Sequence, residues 1–249
     1  MLGCEMHILD NESPVDVHGC VLSLENEHAT YRKISGFADQ WNLFSDILNS
    51  KTDLRFDNDD LVVFLDDDEY LWYDSSSYSS LECALRAQYK QLSCLLLPEI
   101  LMSTHHIAHD RSQLLPLVSY YRRNDFASQG KACVMWNEWS SYSYNLKNFE
   151  IGHAPWIDGV RMSDVVGSGV TKTTYGVCKY DAPARLYHYH IKSEADWRMK
   201  IERGSAAVAS EPGKNGSYSS EITQNKKFGE YDIPDFTMKL AVEKMLKKS

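Results

Sequence analysis

The stretch VVFLDDDEYLWYD, residues 62–74, decides how the fold of this sequence is interpreted. Its first four side chains, at residues 62–65, are apolar, and four consecutive acids follow at residues 66–69. An apolar run without alternation is typical of a strand that is covered on both faces, as in a parallel or mixed sheet. Ligand sites in open α/β sheets lie beyond the carboxyl ends of the strands. The stretch therefore predicts a buried strand that delivers carboxylates to the edge where a ligand site is expected.

The acidic run itself predicts a cation site. Neighbouring carboxylates repel one another, and a bound cation removes that repulsion. Asp66 and Asp68 are two residues apart and are expected on one side of the chain, with Asp67 facing elsewhere. Mg²⁺ and Mn²⁺ are usually held by one or two carboxylates, with the phosphates of a substrate completing the coordination shell. A solvated acidic turn after a strand is the alternative interpretation.

Apolar periodicity predicts alternating strands and helices across the first hundred residues. Strands are expected in EMHILDNES (5–13), LVVFLD (61–66) and SCLLLPEILMS (93–103), and helices in FADQWNLFSDIL (37–48) and SYSSLECALRAQYKQL (77–92). This rhythm is typical of an α/β fold with a mixed, mostly parallel sheet flanked by helices.

The second half of the chain has fewer clear elements. We expect a helix in LLPLVSYYRR (114–123), a strand in KACVMW (131–136), a loop around His153 and a terminal helix in 234–249. The segment ARLYHYHIKSEADWRMKIERG (184–204) predicts a strand that leads into a helix beginning near Ser193. His188 and His190 are two apart on that strand and are expected to face the same side.

Composition excludes several classes of function. The chain has 249 residues and a formal net charge of -9, so the phosphates of a nucleic acid would repel it. Its six cysteines form no CxxC pair, which favours reduced thiols and a cytoplasmic location. No signal peptide is recognised, and no window reaches the ~18 to 20 apolar residues that span a bilayer. No GxGxxG, GxxxxGK[ST] or GxSxG motif occurs.

Four motifs together resemble the glycosyltransferases of family 92 and their relatives, including glycosyltransferase domains of large algal viruses. They are ILDNES, QW..FSDIL, VVFLDDDEYL and HYHIKSEADWRMKIERG. The family's pattern of an apolar strand followed by Asp-x-Asp-Glu-Phe is matched at residues 66–70, with tyrosine in the last place. Its later block, His-Tyr-x-x-Lys-Ser followed by an acidic helix and Lys-x-x-x-Gly, is matched within 188–204. The resemblance covers most of the chain from Met6 to Gly204.

The resemblance implies a GT-A fold, which is Rossmann-like, over residues 1–204, with 205–249 forming a loop and a helix packed on the same domain. It implies transfer of a hexose or deoxyhexose from a UDP- or GDP-sugar to a glycan or glycoprotein acceptor, with inversion and with Mn²⁺ or Mg²⁺ as cofactor. The sequence begins close to the family's second strand, so we expect the usual first strand-helix unit, which lines the nucleotide base, either to be cut off from this sequence or to be replaced by another segment.

Site residues follow from the same resemblance. Asp68 is expected to bind the metal directly, and Asp66 to hold either the donor's ribose or a metal-bound water. His188 is expected as a metal ligand on the far side. Lys192 and Ser193, at the start of the predicted helix, are expected to bind the donor's phosphates, where free backbone N–H groups favour an anion.

Inversion requires a general base that takes the proton of the acceptor hydroxyl. Glu99, within the strand 93–103, and Asp158, after HAPW, are the two candidates. Two alternatives remain open for the function as a whole. One is a nucleotidyltransferase or phosphohydrolase with the same acidic cation site, and the other is a catalytically silent glycan-binding or scaffold domain.

Overall fold

The computed structural model describes a protein with mixed α and β content. The described residues are 4–11, 15–23, 29–35, 43, 46–47, 54, 56–57, 59–89, 94–103, 114–118, 120–123, 129–135, 153–155, 182–191 and 231–247. The strands are β1 (Met6–Asp10), β2 (Ala29–Lys33), β3 (Leu61–Val63), β4 (Glu69–Tyr73), β5 (Cys94–Ser103), β6 (Tyr121–Arg123), β7 (Gln129–Met135), β8 (His153–Pro155), β9 (Ala184–Ile191) and β10 (Tyr231–Pro234). The helices are α1 (Val17–Ser23), α2 (Leu81–Tyr89), α3 (Leu115–Val118) and α4 (Thr237–Leu246).

The strands form two sheets. β1 and β2 pair in parallel as a small two-stranded sheet. The other sheet has eight strands, with a path β10-β6-β5-β7-β3 from which β4, β8 and β9 branch. β5 lies at its centre: Cys94–Pro98 pair with β7, while the second half of β5 pairs with β9 on one edge and with β6 on the other.

The prediction of a mostly parallel sheet is wrong for the described strands of the eight-stranded sheet. There β5 and β9 run parallel, and the other described neighbours run antiparallel. The reason is that an apolar run without alternation reports burial on both faces, whatever the direction of the next strand. Helices cover both faces of β4, β5 and β9.

Helix α2 covers one face of β4, β5 and β9. Ser80 caps its first turn, because the backbone N–H of Cys83 donates to the hydroxyl oxygen of Ser80 at 3.1 Å. Its apolar side chains pack on Leu97 of β5 and on Ala184 and Leu186 of β9. The residues of α2 in this cluster are Leu81, Ala84 and Leu85.

The C-terminal helix α4 covers the opposite face. Met238 and Val242 of α4, with Leu115 of α3, pack against the alternate residues of the same strands. Those residues are Ile100 and Met102 of β5 and Tyr187 and Tyr189 of β9, with Tyr70 and Trp72 of β4 at the margin. Residues 184–189 therefore serve two apolar layers in alternation.

Most local predictions inside the described residues are confirmed. These are the strands within 5–13, 61–66, 93–103, 131–136 and 184–191 and the helices within 77–92 and 234–249. Within 37–48, Leu43, Asp46 and Ile47 are helical, and the other residues lie outside the described part. The helix predicted to begin near Ser193 also lies outside it.

Two local predictions are wrong. The helix predicted for 114–123 is confined to α3, because Tyr121–Arg123 pair with β5 and β10 instead. His153 lies in strand β8, which pairs with β7, rather than in a loop. In both cases a long-range pairing decides the local structure, and such pairings leave no periodic trace in the sequence. No helix in the described residues is both long and apolar enough to cross a membrane.

Candidate functional site

The acidic run forms a tight turn between β3 and β4. The backbone N–H of Glu69 donates to the carbonyl of Asp66 at 3.1 Å, and the N–H of Asp66 donates to Glu69 Oε2 at 2.9 Å. This reciprocal pair closes the turn over Asp67 and Asp68. Asp67 is exposed, whereas the Asp68 residue is only 6% exposed. Asp67 and Asp68 therefore face different surroundings, as predicted. Both residues lie in a turn, however, and not in an extended strand.

Strand register brings three polar side chains to one face of the sheet. Glu69 is the direct partner of His188 in the antiparallel pair of β4 and β9. In the parallel pair of β5 and β9, Leu101 is the partner of His188 and Glu99 the partner of Leu186. Because directly paired residues project to the same face, Glu69, Glu99 and His188 lie together.

This acid-histidine cluster continues the apolar layer under α2. Leu71, Leu97 and Leu186 belong to that layer. Two residues along each strand, on the same face, stand Glu69, Glu99 and His188. On each of β4, β5 and β9 the polar cluster therefore begins two residues beyond the apolar layer, and the same three strands carry both.

The side chain of His188 has different partners on its two ring nitrogens. Nδ1 is in hydrogen-bond contact with Glu99 Oε1, and Glu69 Oε1 lies 3.8 Å from the same nitrogen. Nε2 lies 3.5 Å from Asp68 Oδ1. The turn is tied to β9 beside the ring as well, because the backbone N–H of Tyr189 donates to the carbonyl of Asp68 at 2.9 Å.

Burial and charge act in opposite directions on the imidazole. Burial alone lowers the pKa of His188, because a charged ring is poorly solvated there. The nearby carboxylates of Asp68 and Glu99 outweigh that effect and raise the pKa of His188 from 6.5 to about 10. Without a bound cation, the ring is therefore protonated at neutral pH and offsets part of the negative charge. Burial, Asp67 and Asp68 also raise the pKa of the nearby Tyr70 hydroxyl.

The cluster has the donor atoms of a metal site. Glu69, Glu99 and His188 are all buried and offer ligand atoms within 4.8 Å of one another. Asp68 adds a further carboxylate on the other side of the imidazole. Carboxylate oxygens combined with an imidazole nitrogen suit Mn²⁺ and other first-row ions better than Ca²⁺, which takes oxygen ligands only.

The structure brings together part of the predicted site. Asp68 and His188, predicted as ligands of one ion, lie side by side, and Asp66 occupies the start of the same turn. Glu99, predicted as a general base, contacts His188 instead of standing apart from it. Its role as the base stays a prediction. Asp158, Lys192 and Ser193 lie outside the described residues.

Sequence reasoning gave Glu69 no role. Its position in the acidic run was visible, but its pairing with His188 depends on the register of β4 against β9, more than a hundred residues later. The run of alternating residues Tyr187, His188 and Tyr189 was the available signal. It shows that His188 lies on a different face from its aromatic neighbours.

The ILDNES motif has a local structural role at the end of β1. The carboxylate of Asp10 accepts a hydrogen bond from the Tyr31 hydroxyl at 2.7 Å. The carbonyl of Asp10 accepts from the N–H of Ile34 at 2.7 Å, and the Asn11 side chain donates to the Ile34 carbonyl at 3.1 Å. These bonds tie β1 to the end of β2.

No protein-family model matches this chain, and no curated protein matches it. The resemblance to family 92 therefore rests on the sequence motifs and stays a prediction.

Proposed function

We propose that this chain is a metal-dependent glycosyltransferase that moves a sugar from a UDP- or GDP-sugar to a glycan or glycoprotein acceptor. One observation carries the proposal. The two motifs that define the resemblance, the acids at 66–69 and the His-Tyr-x-x-Lys-Ser block, meet in one buried cluster through Asp68, Glu69 and His188. Segments so far apart in the sequence have no local reason to meet, so their contact supports a shared role.

The residues present fit a bound Mn²⁺ better than Mg²⁺, because Mg²⁺ prefers oxygen ligands and one donor here is an imidazole nitrogen. Asp68 and His188 would hold the ion, in agreement with the sequence prediction. When bound, such an ion stabilises the negative charge that develops on the leaving diphosphate as the bond to the sugar breaks. The remaining contributions belong to the chain itself: Glu69, Glu99 and His188 are buried, which limits the access of water to the cluster, and the closed turn holds Asp68 in place.

Other roles in the proposal come from the resemblance. Asp66 would hold the donor's ribose or a metal-bound water, and Lys192 and Ser193 would bind its phosphates. Glu99 or Asp158 would accept the proton of the acceptor hydroxyl, which gives inversion at the sugar carbon. The GT-A fold, the division into 1–204 and 205–249 and a cytoplasmic location are part of the same proposal.

A thermal-unfolding screen tests the proposal. UDP, GDP and their common sugars are each added with and without MnCl₂. We expect one nucleotide to raise the unfolding temperature only when Mn²⁺ is present, because a ligand at 100 times its Kd adds about 2.7 kcal/mol to the stability of the folded state. Release of that nucleotide in the presence of a glycan acceptor would then report turnover.

Two variants of neighbouring acids sharpen the screen. Asp68→Asn should abolish the joint effect of nucleotide and Mn²⁺ and should abolish turnover. Asp67→Asn, the same change at the exposed neighbour, should retain both. Equal behaviour of the two variants would refute the assignment of Asp68.

A second candidate is a catalytically silent glycan-binding or scaffold domain. The observation in its favour is that both ring nitrogens of His188 already face carboxylates, Glu99 and Glu69 on one side and Asp68 on the other, so the cluster can persist as a purely structural network. This candidate predicts glycan binding without metal and no response to any nucleotide in the same screen.

A further inference from the structure

We propose that Glu99 is a positioning residue for His188: it holds Nδ1–H, so that Nε2 is the nitrogen that binds the cation together with Asp68. The inference rests on the metal-dependent part of the proposed function. It removes Glu99 from the candidates for the general base. Asp68 and His188 are then the two ligands, and Glu69 and Glu99 are the two supporting carboxylates.

The first step concerns the Nδ1 side of the ring. Glu99 Oε1 is in direct hydrogen-bond contact with Nδ1, and this contact leaves no room for an ion between the two atoms. The side chains of Glu99 and Glu69 on this side are 1% and 0% exposed. An ion placed there would have no open position for the phosphates of a substrate, which complete the shell of Mg²⁺ and Mn²⁺ in transfer enzymes.

The second step concerns the Nε2 side. The separation of 3.5 Å between Nε2 and Asp68 Oδ1 exceeds the 2.7 to 3.2 Å of an ordinary N–H···O hydrogen bond. Two atoms that bind one ion at about 2.1 Å each lie roughly 3.0 to 3.5 Å apart, since ligand angles are about 90 to 110°. The pair therefore has the spacing of two ligands of a shared ion. The Asp68 side chain is 9% exposed, against 1% for Glu99 and 0% for Glu69, so the Nε2 side of the ring is the less deeply buried one.

The third step concerns the supporting carboxylates. A histidine that binds a metal through one nitrogen usually donates its other N–H to a carboxylate or carbonyl, which fixes the tautomer and increases the basicity of the ligand. Glu99 has this relation to His188. Glu69 supports the other ligand, because its Oε2 accepts the N–H of Asp66 and so closes the turn that presents Asp68.

The consequence concerns the acceptor side of the reaction. A general base must reach the proton that it removes, either directly or through one water molecule. The Glu99 side chain is 1% exposed and contacts His188, so it lacks that access in this arrangement. Of the two residues predicted as the base, Asp158 remains.

Titration with metal alone tests the inference. Free Mn²⁺ is measured by electron paramagnetic resonance for the wild type, Glu99→Ala, Glu99→Gln and the control Glu82→Ala, which removes an exposed glutamate of α2. We expect Glu99→Ala to weaken Mn²⁺ binding by about 10- to 100-fold, the usual effect of losing such a supporting group. Glu99→Gln should lose less, because its amide oxygen still accepts from Nδ1–H, and Glu82→Ala should match the wild type.

Magnetic resonance of ¹⁵N-labelled histidine in the wild type, loaded with ¹¹³Cd²⁺, gives a second measurement that does not depend on how well a variant folds. We expect coupling between cadmium and Nε2 of His188, with the proton on Nδ1. Coupling to Nδ1, or unchanged Mn²⁺ affinity in folded Glu99→Ala, would overturn this inference and leave a metal-dependent function standing. A wild type that binds neither ion would overturn both.

Discussion

The two faces of β4, β5 and β9 differ in a way that separates folding from chemistry. The face under α4 is apolar and aromatic at Ile100, Met102, Tyr187 and Tyr189, and Arg185 lies over the Trp72 ring on the same face. The face under α2 is apolar at Leu97 and Leu186 and then changes to the acid-histidine cluster. One set of strands thus stabilises the molecule through one face and concentrates charge on the other.

The difference shows how a costly site is supported. Taking a carboxylate or an imidazolium out of water costs several kcal/mol per ion, and mutual attraction repays this only with good geometry. Burial of large side chains such as Tyr187 or Met102 stabilises by about 1.5 to 3 kcal/mol each. Because both effects act on the same strands, the aromatic face holds in register the backbone on which Glu69, Glu99 and His188 depend.

Removal of the His188 imidazole should have the largest effect on the stability of the folded protein. His188→Ala removes the imidazolium charge beside Glu99 and Glu69 and leaves the buried carboxylates without a compensating charge. We therefore expect a loss of about 3 to 5 kcal/mol in the free energy of unfolding at pH 7 in the absence of metal. Urea denaturation measures it. His18→Ala, at an exposed histidine of α1, is the control and should change stability by less than about 1 kcal/mol. Comparable losses in the two variants would contradict the ionic role of His188.

A cavity on the aromatic face should have nearly as large an effect on stability but a different effect on binding. Met102 is fully buried, and Met102→Ala should cost about 2 to 5 kcal/mol of unfolding free energy. Because Met102 does not face the acid-histidine cluster, Mn²⁺ affinity of the folded variant should stay within about threefold of the wild type. A larger loss of affinity would mean that the two faces are not separable.

Alkaline pH should lower the contribution of the acid-histidine cluster to stability and leave the contribution of the aromatic face unchanged. The pKa of His188 is raised from 6.5 to about 10 in the folded protein, so its contribution to stability is fully present below about pH 6.5 and is lost as the pH rises through about 10. We expect the metal-free wild type to lose stability steadily between pH 7 and 10. His188→Ala should show a flatter curve over the same range, and parallel curves would contradict this assignment.

The smallest expected effect lies on the aromatic face. The Tyr189 hydroxyl is buried and has no hydrogen-bond partner among the described residues, while its ring packs edge-on against Tyr70 at 5.3 Å. Tyr189→Phe keeps the ring and removes the unsatisfied hydroxyl, so stability should stay equal or rise by up to about 1 kcal/mol. A loss above 1 kcal/mol would show that the hydroxyl is satisfied by another part of the chain.

The sequence predicted what depends on local patterns. Apolar periodicity located β1, α2, β5, β9 and α4, because burial of a stripe or a face leaves a period in the residues. Strand direction and register leave no such period. The prediction of a mostly parallel sheet was therefore wrong for most described strand pairs, and the pairing of Glu69 with His188 was not foreseen.

The candidate site was predicted to the extent that motifs carried it. Asp68 and His188 were both assigned to one ion, and the structure places their side chains 3.5 Å apart. The contact of Glu99 with His188 was not predicted, because it depends on the parallel pairing of β5 with β9. A carboxylate that supports a ligand has no sequence signature of its own.

Successive residues of β9 face opposite sides of the sheet, so the effect of a deletion in this strand depends on whether it removes an odd or an even number of residues. Deleting one residue between Ala184 and Tyr187 would turn His188 into the aromatic layer and Tyr189 among the acids, if the pairing before the deletion were kept. Deleting two would preserve the faces and only shorten the strand. Relatives of this chain should therefore tolerate changes of length in the connections between strands far better than odd-numbered changes within β4, β5 or β9.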